Sequence, residues 1–249
     1  MLVALTFILG LVIGSFLNVC IYRIPRGESL LHPLYSVCPK CNHRLFPFDL
    51  IPLLSFLLLK GKCRYCETQI AYRYFFIELL TGMLFVLAYW YLGLTWSLLS
   101  LWFFIALLII VAFIDLEHQI IPNKVNLFGF VSGVVLNLFT GNLSLLNMLL
   151  GFLVSGGLLF LIAVLSRGGM GGGDIKFGAV MGVFLGWQLA LLALLIAFVL
   201  GGLGGIVLLA LKKKGRKDMI PFGPFLVLGS LVSILFGNQI LSWYLQTLS

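Results

Sequence analysis

The chain has 249 residues, of which 61% are hydrophobic and only 10% charged, against roughly 25% charged residues in soluble domains. That balance excludes a soluble enzyme and specifies a polytopic membrane protein. The net charge of +8 is not a nucleic-acid signal, because no basic surface with interleaved aromatics accompanies it, and no nucleic acid is expected as a partner.

Met1 to Tyr22 carries no charged side chain, and it has neither the basic start nor the small-residue cleavage site of a removable signal peptide, so it reads as a retained first span. The charges that follow fall into four clusters, within Arg23–Glu78, Asp115–Lys124, Arg167–Lys176 and Lys212–Asp218. The uncharged stretches between them run 36, 42 and 35 residues, roughly 50 to 60 Å as straight helix against a hydrocarbon core of about 30 Å. Each is expected to be a hairpin of two spans, turning at Gly93-Leu94-Thr95, Thr140-Gly141-Asn142 and Gly186-Trp187-Gln188. With a final span after Pro224, the expectation is an all-α membrane protein of about eight transmembrane helices. All 16 basic residues then lie on one face, which the positive-inside rule makes cytoplasmic, with both termini outside.

Between the first and second spans lies a segment, residues 23–73, that holds four of the five cysteines and five of the eight prolines. It is expected to be a small cytoplasmic domain, leaving residues 1–22 as the first helix and 74–249 as a seven-helix bundle. A segment of this size needs a metal or disulfides to fold. Cys38-Pro39-Lys40-Cys41 and Cys63-Arg64-Tyr65-Cys66 form two C-x2-C knuckles 21 residues apart. Four thiolates close a tetrahedral shell, which predicts one structural Zn2+. Disulfides conflict with a reducing cytoplasmic face, and no βαβ pattern supports a redox pair. His32 and His43 are expected to be ordinary loop residues, and Cys20 a small apolar side chain of the first span. Further along, Gly178, Gly182 and Gly186 recur every four residues, and Gly201, Gly202, Gly204 and Gly205 crowd the next stretch. Both sets are read as close-packing positions between spans.

Two aspartates stand at the membrane edge. Asp115 ends the uncharged run Leu79–Ile114, and Asp174 follows three glycines in Gly171-Gly172-Gly173-Asp174-Ile175-Lys176. Carboxylates there cost several kcal/mol unless paired, hydrated or in use. If their helices meet, the pair can flank one water as general base and general acid. A helix C-terminus disfavours a negative charge and an N-terminus favours it, so Asp174, near the start of a short helix beginning around Lys176, is expected to be the more readily ionised. The glycines are expected to admit a substrate backbone and to take positive φ angles. Gly171, Gly172, Gly173, Lys176 and Glu78 are the residues assigned to substrate approach. The bland alternatives are a helix-capping Asp174 paired with Lys176, and an Asp115 paired with Lys124. Glu117 and His118 are expected to be solvated.

Taken together, Gly14-Ser15-Phe16-Leu17-Asn18-Val19, Tyr22-Arg23-Ile24-Pro25, the cysteine tetrad, Ile51-Pro52-Leu53-Leu54-Ser55, Arg73-Tyr74 with Glu78, Ile114-Asp115, the Gly171–Lys176 run and Ile220-Pro221-Phe222-Gly223-Pro224 resemble the bacterial type IV prepilin peptidases of pilus or competence systems. The resemblance implies an aspartic endopeptidase with Asp115 and Asp174 catalytic, located in the bacterial plasma membrane. It further implies cleavage of a basic leader from prepilins or pseudopilins, typically at a Gly-Phe bond, while the pilin's apolar segment sits in the bilayer. Methylation of the new amino terminus with S-adenosylmethionine is implied as well. No glycine-rich loop after a strand occurs in residues 23–73, so no donor ligands are named. Acids able to attract a basic leader are Glu28, Glu67, Glu78 and Glu117. Competing readings are a presenilin-like or signal-peptide-peptidase-like protease that only cleaves, which lacks the four-cysteine knuckle, a proton-coupled transporter, whose acids belong nearer the midplane, and a zinc-knuckle scaffold, which leaves the aspartates unexplained.

Overall fold

A computed structural model of the chain describes residues 1–167, 169–211 and 220–248. The fourth charged cluster, Lys212–Asp218, lies outside the described residues. Among those described, the structure is helical, with two isolated antiparallel bridges, Val37 to Arg44 and Lys62 to Gln69. The helices are α1 (Leu2–Arg23), a 3-10 turn at Pro47–Leu50, α2 (Leu54–Leu58), α3 (Tyr72–Leu92), α4 (Trp96–His118), α5 (Asn123–Thr140), α6 (Leu145–Leu165), α7 (Gly172–Ala210) and α8 (Gly223–Leu248). Six of them, α1, α3, α4, α6, α7 and α8, are long and apolar enough to cross a membrane. The protein is therefore a multi-pass membrane protein.

The expected turns fall where the glycines are. Gly93 (φ 65°) stops α3, and Gly141 in the left-handed conformation caps α5, donating its N–H to Asn137 O at 2.8 Å. Ser144 then starts α6, its Oγ accepting from Asn147 N at 3.2 Å. The third turn takes another form. α7 runs from Gly172 to Ala210 with a single non-helical residue, Gly186 (φ 74°, ψ 170°). Trp187 N–H, freed by the break, donates to Asn147 Oδ1 at 3.2 Å. Only glycine takes that backbone conformation without strain.

Two compact units divide the chain at Ile110. In the first, α1 and α3 pack antiparallel through small residues. A Cβ on Gly10 would lie 2.7 Å from Gly82 Cα, and one on Gly14 would lie 2.8 Å from Glu78 Cα. A turn further along, Asn18 Nδ2 donates to Tyr74 O at 3.2 Å. In the second unit, α7 is the central element. α6 lies antiparallel to its first part, with the backbones of Gly151 and Gly182 so close that a Cβ on either would overlap the other's carbonyl. α8 lies antiparallel to its second part, Gly229 against Ala193, with Ser233 Oγ donating to Leu189 O at 2.7 Å. α5 runs alongside α7, Asn137 Nδ2 donating to Val183 O at 3.1 Å. Lipid tails offer no hydrophobic drive for helix association, so close van der Waals contact and these few hydrogen bonds hold the bundle together.

Gly178, Gly182 and Gly186 are close-packing positions, against Leu159, Gly151 and Asn147 respectively. The later glycines divide. Gly201 and Gly204 face the rings of Phe222 and Phe225, whereas a Cβ on Gly202 would touch nothing. Gly182→Val is therefore expected to cost about 3 kcal/mol by overpacking, seen as a clear fall in thermal midpoint in detergent. Gly202→Val, made beside it, is expected to leave the midpoint nearly unchanged.

Candidate active site

Three helix ends build the site within the second unit. Asp115 sits in the last turn of α4 and is 4% exposed. Its Oδ2 accepts the backbone N–H of Gly223 at 2.7 Å. That donor is the first residue of α8, so the carboxylate at a helix C-terminus also faces the N-terminus of another helix, where unpaired N–H groups favour an anion. A Cβ on Gly223 would lie 2.8 Å from the same oxygen. Glycine at 223 is what lets the backbone come this close.

Asp174 is the third residue of α7, which starts at Gly172 rather than around Lys176. The carboxyl turns back on the N-cap residue Gly171, whose N–H bonds to it, as acids at this helical position do. Its Oδ1 is buried and has no hydrogen-bond partner among the described residues. The two aspartate carboxyls are near enough to interact electrostatically. Their proximity follows from the α4–α5 connection. Gln119 N–H donates to Asp115 O at 2.8 Å with Gln119 in a positive-φ conformation, and two residues on, Ile121 meets the backbone of Gly173. Asn126 Nδ2 on α5 then donates to Gly173 O at 3.2 Å.

The three glycines do different work from that expected. None has a positive φ, and Gly171 stands at φ −68°, ψ 140°. A Cβ on Gly171 would press on Asp174 Oδ2 at 2.8 Å, and one on Gly173 would meet Ile121 O at 2.9 Å. Gly172 alone faces open space. The bland pairings do not form either. Lys176 Nζ donates to Asn123 Oδ1 at 2.7 Å, and Asp115 bonds to Gly223 rather than to Lys124. Glu117 is exposed.

Gly223 and Asn126 are the residues that sequence reasoning did not assign to the site. Gly223 carried a signal, lying in Pro221-Phe222-Gly223-Pro224 at a helix start. Asn126 offered no such signal, being one of several polar residues on α5.

Glu78 lies in the first unit, on α3, 8% exposed. Its Oε2 accepts the N–H of Leu53 at 2.8 Å, and Leu53 holds a positive φ (58°) rare for a bulky side chain. Residues 51–55 are thereby tied to a membrane helix. Arg23, 9% exposed, donates to the carbonyls of Ser29, Pro33 and Tyr35 at 2.9 to 3.2 Å and shapes the start of the cysteine-containing segment.

The two cysteine knuckles share one local structure. In each, the first cysteine's N–H bonds to the carbonyl five residues on, Cys38 to His43 and Cys63 to Thr68, and a positive-φ residue, Asn42 or Glu67, follows the second cysteine. All four Sγ atoms lie within 4.8 Å of one another, and Cys38 Sγ to Cys66 Sγ is 3.8 Å. A tetrahedral ion with about 2.3 Å metal–sulfur bonds requires sulfurs about 3.8 Å apart, so the four thiols can hold a metal ion. The thiols are free rather than disulfide-bonded. The Thr68 hydroxyl, 3.4 Å from Cys66 Sγ, and the Thr68 backbone draw Cys66 down to about 6, toward the thiolate that a metal binds. His43 stacks on Tyr65 with ring centroids 3.7 Å apart. Asp49 closes the arrangement, accepting from Arg64 Nε at 2.6 Å, Tyr65 OH at 3.0 Å and Phe46 N at 3.1 Å. Desolvation pushes the Asp49 carboxyl up, but these donors together hold it below its ordinary range.

A family model described as "Bacterial Peptidase A24 N-terminal domain" matches residues 8–92, and one described as "Type IV leader peptidase family" matches residues 102–206. Among curated relatives, the prepilin leader peptidase/N-methyltransferase of Bacillus subtilis is 37% identical over 98% of this chain and 98% of its own length. The Aeromonas salmonicida protein of the same name is 34% identical, covering 98% and 94%. That of Pseudomonas aeruginosa is 34% identical, covering 97% and 92%. The chain belongs to the type IV leader peptidase family. No solved structure gives a significant match.

Asp49→Asn is expected to loosen the knuckle pair. The native carboxylate has a depressed pKa, so its stabilisation is complete above the ordinary carboxylate range and is lost as pH falls through the lower native value. At neutral pH, amide hydrogen exchange over residues 46–66 should rise about fivefold in the variant, the scale of one exposed ion pair with its hydrogen bonds.

Proposed function

We propose that this protein is a membrane-embedded aspartic endopeptidase that removes the basic leader of type IV prepilins or pseudopilins and N-methylates the residue exposed. Family membership over nearly the full chain supports both activities. The observation that carries the peptidase assignment is the convergence of Asp115, with its Gly223 donor, and Asp174, with a buried unpartnered oxygen, at adjoining helix ends.

In the proposed reaction Asp115 is the base. Its Oδ2 is held by the α8 N-terminus, leaving the other oxygen to take a proton from water. Asp174 is the acid, its carboxyl giving a proton to the scissile carbonyl as the water oxygen bonds to that carbon. Collapse of the tetrahedral diol breaks the C–N bond, with Asp115 returning its proton to the leaving amine and the diol returning one to Asp174. These roles reverse the order expected from each aspartate's own helix, because α8 adds an N-terminus to Asp115.

The four cysteines are proposed to bind one structural Zn2+, leaving no open coordination position for catalysis. Its chemistry is to join two knuckles that have little core of their own. Residues 23–73 are proposed as the methyl-transfer part, between helix 1–22 and a peptidase bundle 74–249. The methyl donor would be S-adenosylmethionine. Among the described residues this segment has no strand leading into a glycine-rich helix start, so no ligand of the donor is assigned and no step is derived through it. The proposed topology has eight crossings, the six apolar helices plus α5 and a second crossing from the division of α7 at Gly186. The charged loops and the dyad face the cytoplasm.

Mass spectrometry of a co-expressed prepilin tests both activities at once. The wild-type chain is expected to yield mature, methylated pilin. Asp115→Asn and Asp174→Asn are each expected to lower cleavage at least about 100-fold, while Asp174→Asn still transfers labelled methyl to pre-cleaved pilin. Substantial cleavage by either variant removes that residue from the dyad. Metal analysis is expected to return one zinc per chain, and Cys63→Ser to lose it, reducing methylation more than cleavage. A metal-free and fully active wild-type preparation would overturn the zinc assignment.

A further inference from the structure

Beside the catalytic turn, α5, α6 and α7 enclose an apolar groove of about 680 Å³ that no step of the peptidase reaction uses. Its walls are Leu127, Phe130, Phe152, Leu153, Phe160 and Val180. The floor is made of small residues on α6 and α7. Gly156 is buried against Ala179, where a Cβ would approach the alanine methyl at 2.7 Å, while Gly157 is exposed and a Cβ there would touch nothing. One end is polar and carries Asn123, Lys124 and Lys176. That end is continuous with the catalytic turn, because Ile175 and Lys176, the two residues after Asp174, line the groove, and Asn126 on its wall bonds the carbonyl of Gly173. From Asn123 to Phe130 the groove descends about 10 Å along α5, or two helical turns.

We propose that this groove is the docking site for the apolar, helical segment of the substrate that directly follows the cleaved bond. The inference rests on the peptidase reading. Charge sets the direction of the chain. Two lysines at the mouth repel a basic leader, so the leader leaves Asp174 away from the groove and the apolar side of the bond enters it. A helix entering there meets a glycine floor that allows the close backbone approach by which membrane helices associate. The apolar walls receive the side chains of one helical face over two turns, placing the bond at the level of Asp174. Binding energy from residues remote from the bond thus orients the bond at the dyad, which is how a membrane peptidase can select one site in a long apolar substrate.

The test uses the full-length protein in lipid nanodiscs with two substrates, an intact prepilin and a short soluble peptide that spans the same bond and lacks the apolar segment. Gly157→Phe places a ring in the groove at a position where no existing packing is disturbed. The ratio of kcat/KM for prepilin to kcat/KM for peptide is expected to fall at least tenfold. In parallel, a photo-crosslinking residue in place of Leu153 is expected to capture the first two turns of the apolar segment, and adding Gly157→Phe is expected to abolish that capture. An unchanged ratio overturns the proposal. So does capture of phospholipid alone, which makes the groove a lipid-filled surface, and so does an equal loss for both substrates, which means that the plug acts on the catalytic turn. Failure of the wild-type protein to cleave either substrate removes the peptidase reading itself, whereas normal wild-type cleavage with an indifferent plug removes the groove alone.

Discussion

Unpaired backbone N–H groups at membrane depth occur at helix N-termini, and both aspartates of the site are placed against one. Asp174 belongs to the first turn of α7, and Asp115, at the wrong end of its own helix, takes the first N–H of α8 at 2.7 Å. Without those donors two carboxyls in a poorly hydrated place would be costly enough to pull the helices apart. With them, the same two carboxyls become the point to which α4, α7 and α8 are tied. The α4–α5 connection completes the arrangement by pressing Ile121 on Gly173.

The glycines act mainly by subtraction. At Gly151 and Gly182, Gly171, Gly173 and Gly223, the missing Cβ is the room in which a neighbouring backbone or carboxylate sits. Polar side chains then fix the axial position that smooth apolar surfaces leave free. Ser155 Oγ donates to Gly178 O at 2.7 Å, Asn137 reaches Val183 O, and Asn126 reaches Gly173 O. A slide of α7 by one residue loses all of these together, so the axial position of Asp174 is set by hydrogen bonds that lie from the adjacent residue to between two and three turns along α7. That coupling ties the position of the Asp174 carboxyl to the packing of α5 and α6 on α7.

The first unit solves a different problem, attaching a cysteine-rich segment with little core to membrane helices. Glu78 does so from inside α3 by accepting Leu53 N–H, and Arg23 does so from the end of α1 by gathering three loop carbonyls. The two knuckles repeat one local structure and face each other through their sulfurs, with Asp49 bracing the second. A metal ion there would replace the missing hydrophobic core as the source of stability.

Much of this was legible in the sequence. The spacing of charges required a multi-pass helical protein, because long uncharged runs have only one stable solution in a bilayer, and glycines marked the turns after α3 and α5 and the break in α7. The C-x2-C pairs required four thiols at one point, since adjacent ligand pairs can do little else without strands or disulfides. The expense of carboxylates at the membrane edge singled out Asp115, Asp174 and Glu78. Tertiary structure alone decided who meets whom. Nothing local in residues 111–118 says that Gly223 will donate to Asp115, because that contact joins residues more than a hundred positions apart. Likewise the glycines before Asp174 were expected to take positive φ angles and admit a substrate backbone, but none has a positive φ, and neighbours at Ile121 and Asp174 itself make Gly173 and Gly171 spacers. Gly186 was expected to sit in a turn of several residues, and the amide of Asn147, reaching across from α6, confines the break to one.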